Sequence, residues 1–171
     1  GYHTRRTSYY LNCKKYYDQS AKKFPIYLSL GQESVAAALS LAFPKAKKIF
    51  AQHRSHDLYL CFGGNIEELI DELLNRPTGC AGGMGGSASI HSPAIGMVGH
   101  DGHMGTQVPI ADGYALGSKE KTLAIMGDAS AEEGYVLGAL GEGASKKLPI
   151  LFVCTDNGLS VLTKLEVRRS W

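Results

Sequence analysis

The chain has 171 residues, of which 44% are hydrophobic and 20% charged, and its net charge is +2. That length suits one sizeable domain with a core, or a domain plus an arm. The near-balanced charge argues against a nucleic-acid footprint, and no apolar run approaches the ~20 residues of a membrane span.

Residues 1–24 are basic and rich in Tyr, with no apolar segment of the signal-peptide kind, and are expected to form an arm, helical in part. The stretch 25–171 is expected to be the domain proper. Gly31–Leu41, "GQESVAAALSL", combines strong helix formers with Glu33 near its start and is closed by Pro44. A short apolar stretch at "KKIFA" follows, then a polar cluster at His53, Arg54 and His56. "NIEELIDELLNR" reads as an amphipathic helix capped by Asn65, with Ile66, Leu69, Ile70, Leu73 and Leu74 on one face. Its expected contribution is packing and surface charge. Gly79–Gly105 has little periodicity and many glycines, as functional or disordered loops do. "QVPIADGYALG" reads as a helix with Pro109 in its first turn. Then come a strand at 122–126, a helix from about Ala131 to Lys146, and a strand at 150–154. Strand, helix and strand in that order imply a parallel pair joined by a crossover helix. Apolar runs without alternation imply strands buried on both faces. The expected fold class is α/β, a three-layer arrangement around a parallel sheet. Four cysteines (Cys13, Cys61, Cys80 and Cys154) lack CxxC spacing and read as reduced packing residues, which suits a cytoplasmic location.

The chemistry is suggested by two strand ends. Leu123–Met126 stops at Gly127 and presents Asp128; Ile150–Cys154 ends in Asp156-Asn157. In open parallel sheets, ligands bind beyond the carboxyl ends of the strands. Asp128 and Asn157 are 29 residues apart, across one strand–helix–strand unit. A carboxylate and a carboxamide oxygen are hard donors that suit magnesium or calcium, with phosphate oxygens completing the shell. A helix starting after Asp128 would aim its N-terminal amides at the same anion. The simpler alternative is that Asp128 caps that helix and Asn157-Gly158 is a turn.

"GDASAEEGYVLGALGEGASKKLPILFVCTDNGLSV" resembles the thiamine-diphosphate motif, which opens Gly-Asp-Gly and closes Asn-Asn about thirty residues later. The fuller resemblance is to the alpha subunit of the decarboxylating component of 2-oxoacid dehydrogenase complexes. "GQES" at 31–34, "HRSHD" at 53–57, "GGMGGSASIH" at 82–91, "GTQVPIADGYAL" at 105–116 and "LPILFVCTDN" at 148–157 occur in that family's order. The resemblance implies a thiamine-diphosphate-binding fold, with thiamine diphosphate and magnesium as cofactors and a 2-oxo acid as substrate. It implies that Asp128 and Asn157 bind the metal through their side chains and Leu159 through its carbonyl. Ala129 and Ser130 would meet the diphosphate through backbone amides, and Arg54 would grip it through a fixed fork of donors. His53 stands where the family has Tyr. Gly102, Met104 and Gly105 match the segment beneath the cofactor rings, with Met104 as the wedge that bends it.

Several positions depart from the pattern. Ala129 replaces the third residue of Gly-Asp-Gly, a change that suits a backbone without positive φ. Asp156 replaces the first Asn of the closing pair. Tyr27 stands near a family histidine, and Gly138 replaces a helical Glu. Gly134, Gly138, Gly141 and Gly143 cost their helix up to about 1 kcal/mol each against Ala, which suggests close packing against a neighbouring helix or subunit.

Among the remaining histidines, His91 resembles one near the family's channel mouth. His103 is read as a loop residue near substrate, and His56 as a residue of the active-site rim. His100 and His103 flank Asp101, but neither a cysteine nor a third ligand accompanies them as a zinc site would require.

The glutamate that activates the cofactor has no match in this chain. The resemblance places it on a beta-like subunit, which implies a hetero-oligomer, with a lipoyl acyltransferase as a further partner and no nucleic acid or membrane. The location implied is the cytoplasm, or the mitochondrial matrix in a eukaryote. The resemblance also implies more strands after the closing Asn, so 25–171 reads as a domain incomplete at its C-terminus. Two alternatives stand beside this reading: the N-terminal part of a transketolase-like enzyme, and a non-catalytic assembly subunit with the same fold.

Overall fold

A computed structural model of the chain describes residues 25–169. The arm expected over 1–24, and Cys13 within it, lie outside the described residues. The chain divides into two compact units. One contains the described residues up to Pro44 together with His53–Ile95; the other contains Lys45–Gln52 and the described residues from Gly96 onward.

The first unit is helical. It contains α1 (Glu33–Ala42), α2 (His56–Cys61) and α3 (Ile66–Leu73), followed by a turn-rich stretch and a short 3-10 turn at Pro93–Ile95. The start of α3 follows from Asn65, whose Oδ1 accepts the N–H of Glu67 at 2.7 Å and of Glu68 at 3.4 Å. Leu69 and Leu73 turn inward, whereas Ile66 at the helix start is 46% exposed. The expectation of packing plus surface charge needs one correction. Glu72 is wholly buried, because the glycine-rich chain folds over it. Its Oε2 accepts the N–H groups of Ala81 and Gly83 at 2.7 and 2.9 Å. Its Oε1 accepts those of Gly85 and Gly86, both at 2.8 Å. One carboxylate thus satisfies four backbone donors that a buried loop would otherwise leave unpaired.

The second unit carries the sheet. Strands β1 (Lys48–Phe50), β2 (Met97–Val98), β3 (Thr122–Gly127) and β4 (Ile150–Thr155) are ordered β2-β1-β3-β4, and every neighbouring pair is parallel. The fold class is therefore α/β, as the strand and helix pattern implies. Helix α4 (Gln107–Ser118) follows β2, and α5 (Gly134–Ser145) makes the crossover between β3 and β4. Val108, Met126, Val136 and Ala139 form one core cluster, and Phe50, Ala111 and Ala124 another, with Phe152 packing against both. Burying a side chain such as Met126 or Leu123 contributes roughly 1.5–3 kcal/mol. Gly143 is required where α5 meets α4 and β4: a Cβ there would lie 2.8 Å from Asp112 Oδ1 and 2.9 Å from Phe152. The described residues close with a hairpin, β5 (Leu159–Ser160) and β6 (Thr163–Lys164), and a short helix α6 (Leu165–Arg168).

Three sequence expectations shift here. The loop 79–105 contains β2, too short at two residues to give a periodicity. The helix expected from Ala131 starts at Gly134. Ser130–Glu132 form a separate 3-10 turn, and Glu133 is extended at φ −71°, ψ 137°. The cause lies in Ser130, whose Oγ accepts Gly127 N–H at 3.1 Å and draws the chain into a tight turn after the strand. Finally, β4 is half-exposed and Cys154 is exposed, because β4 is the last strand of the sheet among the described residues.

Candidate functional site

The register of β3 and β4 brings their ends together. Gly127 pairs with Thr155, and the Asp128 N–H donates to the Thr155 carbonyl at 3.3 Å. Asp128 and the Asp156-Asn157 pair therefore emerge side by side at the carboxyl edge of the sheet. Gln52 and Gln107 brace this end from below. Gln107 Nε2 donates to the Ile125 carbonyl at 2.8 Å, and Ser130 Oγ lies 3.3 Å from Gln52 Oε1.

Asp128 is buried, at 3% exposure. It does not cap α5, whose N-cap position is Glu133. Its Oδ2 accepts from Arg168 Nη2 at 2.8 Å, and the same Nη2 donates to Glu132 Oε1 at 3.1 Å. Arg169 Nε adds a second contact to Glu132 Oε1, at 2.5 Å. The Arg169 and Arg168 guanidiniums hold the Glu132 carboxyl below the usual carboxylate range. Sequence reasoning missed this cluster, since Arg168 lies 40 residues from Asp128 and no local spacing joins them.

Asn157 is exposed, and its Oδ1 accepts the Leu159 N–H at 3.0 Å in a turn closed by Gly158 at φ +68°. Leu159 opens β5, with its side chain 44% exposed. Ala129 has φ −67°, ψ −43°, an ordinary right-handed backbone, so the methyl that replaces the family's glycine causes no strain. Gly102 and Gly105 have φ +98° and +93°, and a Cβ on Gly105 would lie 2.9 Å from Val136. This close approach seats the 100–106 loop on α5. Met104 is 38% exposed, and its carbonyl accepts the Tyr135 hydroxyl at 2.5 Å. His103 is exposed, with its ring centroid 5.9 Å from that of Tyr135. Asp101 accepts from His103 N–H and from Thr106 Oγ1, bonds that lower its pKa. Among the described residues no group of three or more His, Cys, Asp or Glu is placed to hold a metal ion.

The first unit carries the other sequence candidates. Arg54 has φ +63°, unusual for a residue with a side chain, and its Nη1 donates to the Leu28 carbonyl at 3.2 Å. The His53 ring stands edge-on to Tyr27 at 5.3 Å. His91 is exposed. His56, expected at a rim, is instead fully buried: its Nε2 lies 2.8 Å from Ser87 Oγ, which also accepts the Tyr27 N–H at 2.7 Å. Burial pushes its pKa down to about 4, so the ring is neutral at pH 7.

The sequence model of the family described as "Dehydrogenase E1 component" matches residues 4–170. The chain belongs to the dehydrogenase E1 component family. Among curated relatives, this E1 chain is 35% identical over 132 residues to pyruvate dehydrogenase E1 component subunit alpha-1, mitochondrial, of Oryza sativa subsp. japonica. That alignment covers 74% of this chain and 34% of the relative. It is 37% identical over 136 residues to the alpha subunit of Dictyostelium discoideum, covering 77% of this chain and 36% of that one. To the somatic form of the Homo sapiens alpha subunit it is 31% identical over 161 residues, covering 91% and 41%. The E1 chain thus spans between 34% and 41% of the length of these relatives. The match decides for the 2-oxoacid dehydrogenase resemblance over the transketolase-like one. Among the described residues no helix is long and apolar enough to cross a membrane.

Proposed function

We propose that this chain is the alpha-type, diphosphate-binding part of a thiamine-diphosphate-dependent 2-oxoacid dehydrogenase. One observation carries the reading. Neighbouring parallel strands deliver a buried carboxylate, Asp128, and the Asp156-Asn157 turn to the same edge, tied by the Asp128–Thr155 backbone bond. The donor chemistry fits magnesium: Asp128 is a buried carboxylate that takes a cationic partner, here Arg168, and hard oxygen donors suit that ion. Asp128 and Asn157 would hold the metal through their side chains and Leu159 through its carbonyl. Oxygen donors this few leave room for phosphate oxygens to complete the shell.

Thiamine diphosphate, when bound, supplies the carbon centre at which a 2-oxo acid loses carbon dioxide. The chain's own part is to hold and orient. Ala129 and Ser130 present backbone amides to the diphosphate. Gly102, Met104 and Gly105 form the surface beneath the rings. Arg54 and His53 belong to the proposal on residue type and family position. His91 and His103, both exposed, are the candidates on the substrate side, while the burial of His56 removes it from that role. The activating glutamate comes from a beta-like subunit, so the active form is a hetero-oligomer. A lipoyl acyltransferase as acyl acceptor, and a mitochondrial location like that in the relatives' names, complete the proposal.

The test is binding of thiamine diphosphate by calorimetry to the chain co-expressed with a beta-like partner, with and without magnesium. Binding is expected to require the metal and to be lost in Asp128→Ala. Carbon dioxide release is expected from a 2-oxo acid and not from a ketose phosphate. Binding that ignores both magnesium and Asp128 overturns the reading, and binding without turnover favours the assembly subunit.

A further inference from the structure

One backbone carbonyl of the 100–106 loop is held by a different element. Asp101 Oδ1 accepts the His103 N–H at 2.9 Å and the Thr106 hydroxyl at 2.8 Å, and His100 Nδ1 accepts the Gly102 N–H at 2.9 Å. The His103 and Gly105 carbonyls accept the Thr106 and Val108 N–H groups, which starts α4. The Met104 carbonyl, between them, instead accepts the Tyr135 hydroxyl at 2.5 Å, from the first turn of α5. We infer that Tyr135 is a positioning residue for thiamine diphosphate: its hydroxyl sets the Met104–Gly105 peptide and so aims the Met104 side chain beneath the cofactor rings. This rests on the assignment of Met104 under Proposed function and adds the residue that holds Met104 in place.

Gly105 explains why such a tie is needed. Its φ of +93° lies where glycine is at ease and other residues are strained. A peptide that precedes a glycine turns more freely than one between bulkier residues, so the bonds inside the loop leave the direction of Met104 open. A side chain at 105 cannot stiffen it, because a Cβ there would lie 2.9 Å from Val136 and 3.2 Å from both Ser130 and Tyr135. The Tyr135 hydroxyl supplies the constraint without adding bulk to the loop. Such a constraint matters for a wedge, since a binding surface fixed in advance avoids the cost of ordering it when ligand arrives.

The tie also joins the two ends of the proposed site. Ser130, in the turn after Asp128, and Tyr135, at the start of α5, both face Gly105. The strand end assigned to the diphosphate and the loop assigned to the rings therefore meet on one piece of chain, which fixes their separation. The His103 ring, 5.9 Å from that of Tyr135, adds a second contact between the same loop and the same side chain. Desolvation, with the Glu133 and Asp101 carboxylates, raises the Tyr135 pKa, so the phenol remains a donor at neutral pH.

The test compares two ligands on the chain co-expressed with a beta-like partner, by calorimetry with magnesium present. Thiamine diphosphate uses both ends of the site; inorganic pyrophosphate uses the diphosphate end alone. Tyr135→Phe keeps the ring and removes one neutral hydrogen bond, and is expected to weaken thiamine diphosphate roughly tenfold. Pyrophosphate affinity is expected to stay within twofold, a selectivity that general loosening of the fold would not produce. Met104→Ala is expected to show the same selective loss. Adding Tyr135→Phe to it should change affinity less than twofold, because the hydroxyl acts through Met104. Equal weakening of both ligands by Tyr135→Phe, no weakening of either, or losses that add in the double variant would overturn the inference and leave the cofactor assignment standing. An unsubstituted complex that binds neither ligand would overturn the cofactor assignment, and this inference with it.

Discussion

His56 carries a pH dependence that belongs to burial alone. In the folded chain its pKa is pushed from 6.5 to about 4. Between those values the unfolded chain binds a proton that the folded chain refuses, so stability falls as the pH drops from 6.5 towards 4 and levels off below. Above pH 6.5 the group contributes no slope. Linkage sets the loss at about 3 kcal/mol over that window. Urea unfolding of the chain at pH 7 and pH 4.5 measures it. His56→Gln keeps a polar partner for Ser87 and is expected to lose about 3 kcal/mol less than the unsubstituted chain; parallel losses would refute the assignment. The residue also marks what the sequence does not reveal. "HRSHD" reads as a polar cluster on a rim, and nothing in its spacing distinguishes an exposed histidine from one bonded to Ser87, 31 residues away. The place of Asp128 at the strand end was legible because a carboxylate after an apolar strand is a local anomaly. Arg168 was not, because its meaning comes from a contact that only the folded chain makes.

At the scale of elements, the strongly patterned segments were legible. The Asn65 cap, the α3 face and the β3–α5–β4 crossover each follow from composition and period within one segment. The start of α5 was not, because a serine side chain, rather than helix propensity, sets the turn before it. The clearest gap is Glu72. On a helix of charged and apolar residues it reads as a solvated flank, and the one signal otherwise is the glycine run that begins seven residues later. The structure makes it the anchor of that run. Glu72→Gln would turn one acceptor oxygen into an NH2 group facing two backbone N–H groups. Leaving those donors buried and unpaired is expected to cost about 2–4 kcal/mol. Urea unfolding gives the magnitude, and hydrogen exchange at 81–86 gives the location, with protection expected to fall there first. A chain whose loop exchanges as slowly as before would show that the four bonds are not what orders it.

At the scale of the whole molecule, the chain presents a sheet whose last described strand is half-exposed and a glycine-rich helix beside it. The two sets of glycines in α5 have different roles. Gly143 is fixed by its neighbours, whereas among the described residues a Cβ at Gly134, Gly138 or Gly141 would meet nothing within 4 Å. Among the described residues those three glycines weaken the helix with no packing return, and Gly138→Ala is expected to stabilise the isolated chain by about 0.4–1 kcal/mol. That gain should appear as a higher urea midpoint with an unchanged slope. A helix kept weak in the single chain makes physical sense if another chain's backbone comes close to it, where a methyl is tolerated and a larger group is not. Gly138→Leu separates the two situations. In the isolated chain the leucine has open space and stability should hold. In the chain co-expressed with a beta-like partner, the assembled species seen by light scattering should shrink towards the single chain. An assembly of unchanged mass would mean that this face of α5 is left free, and that the partner proposed to complete the site approaches from elsewhere on the molecule.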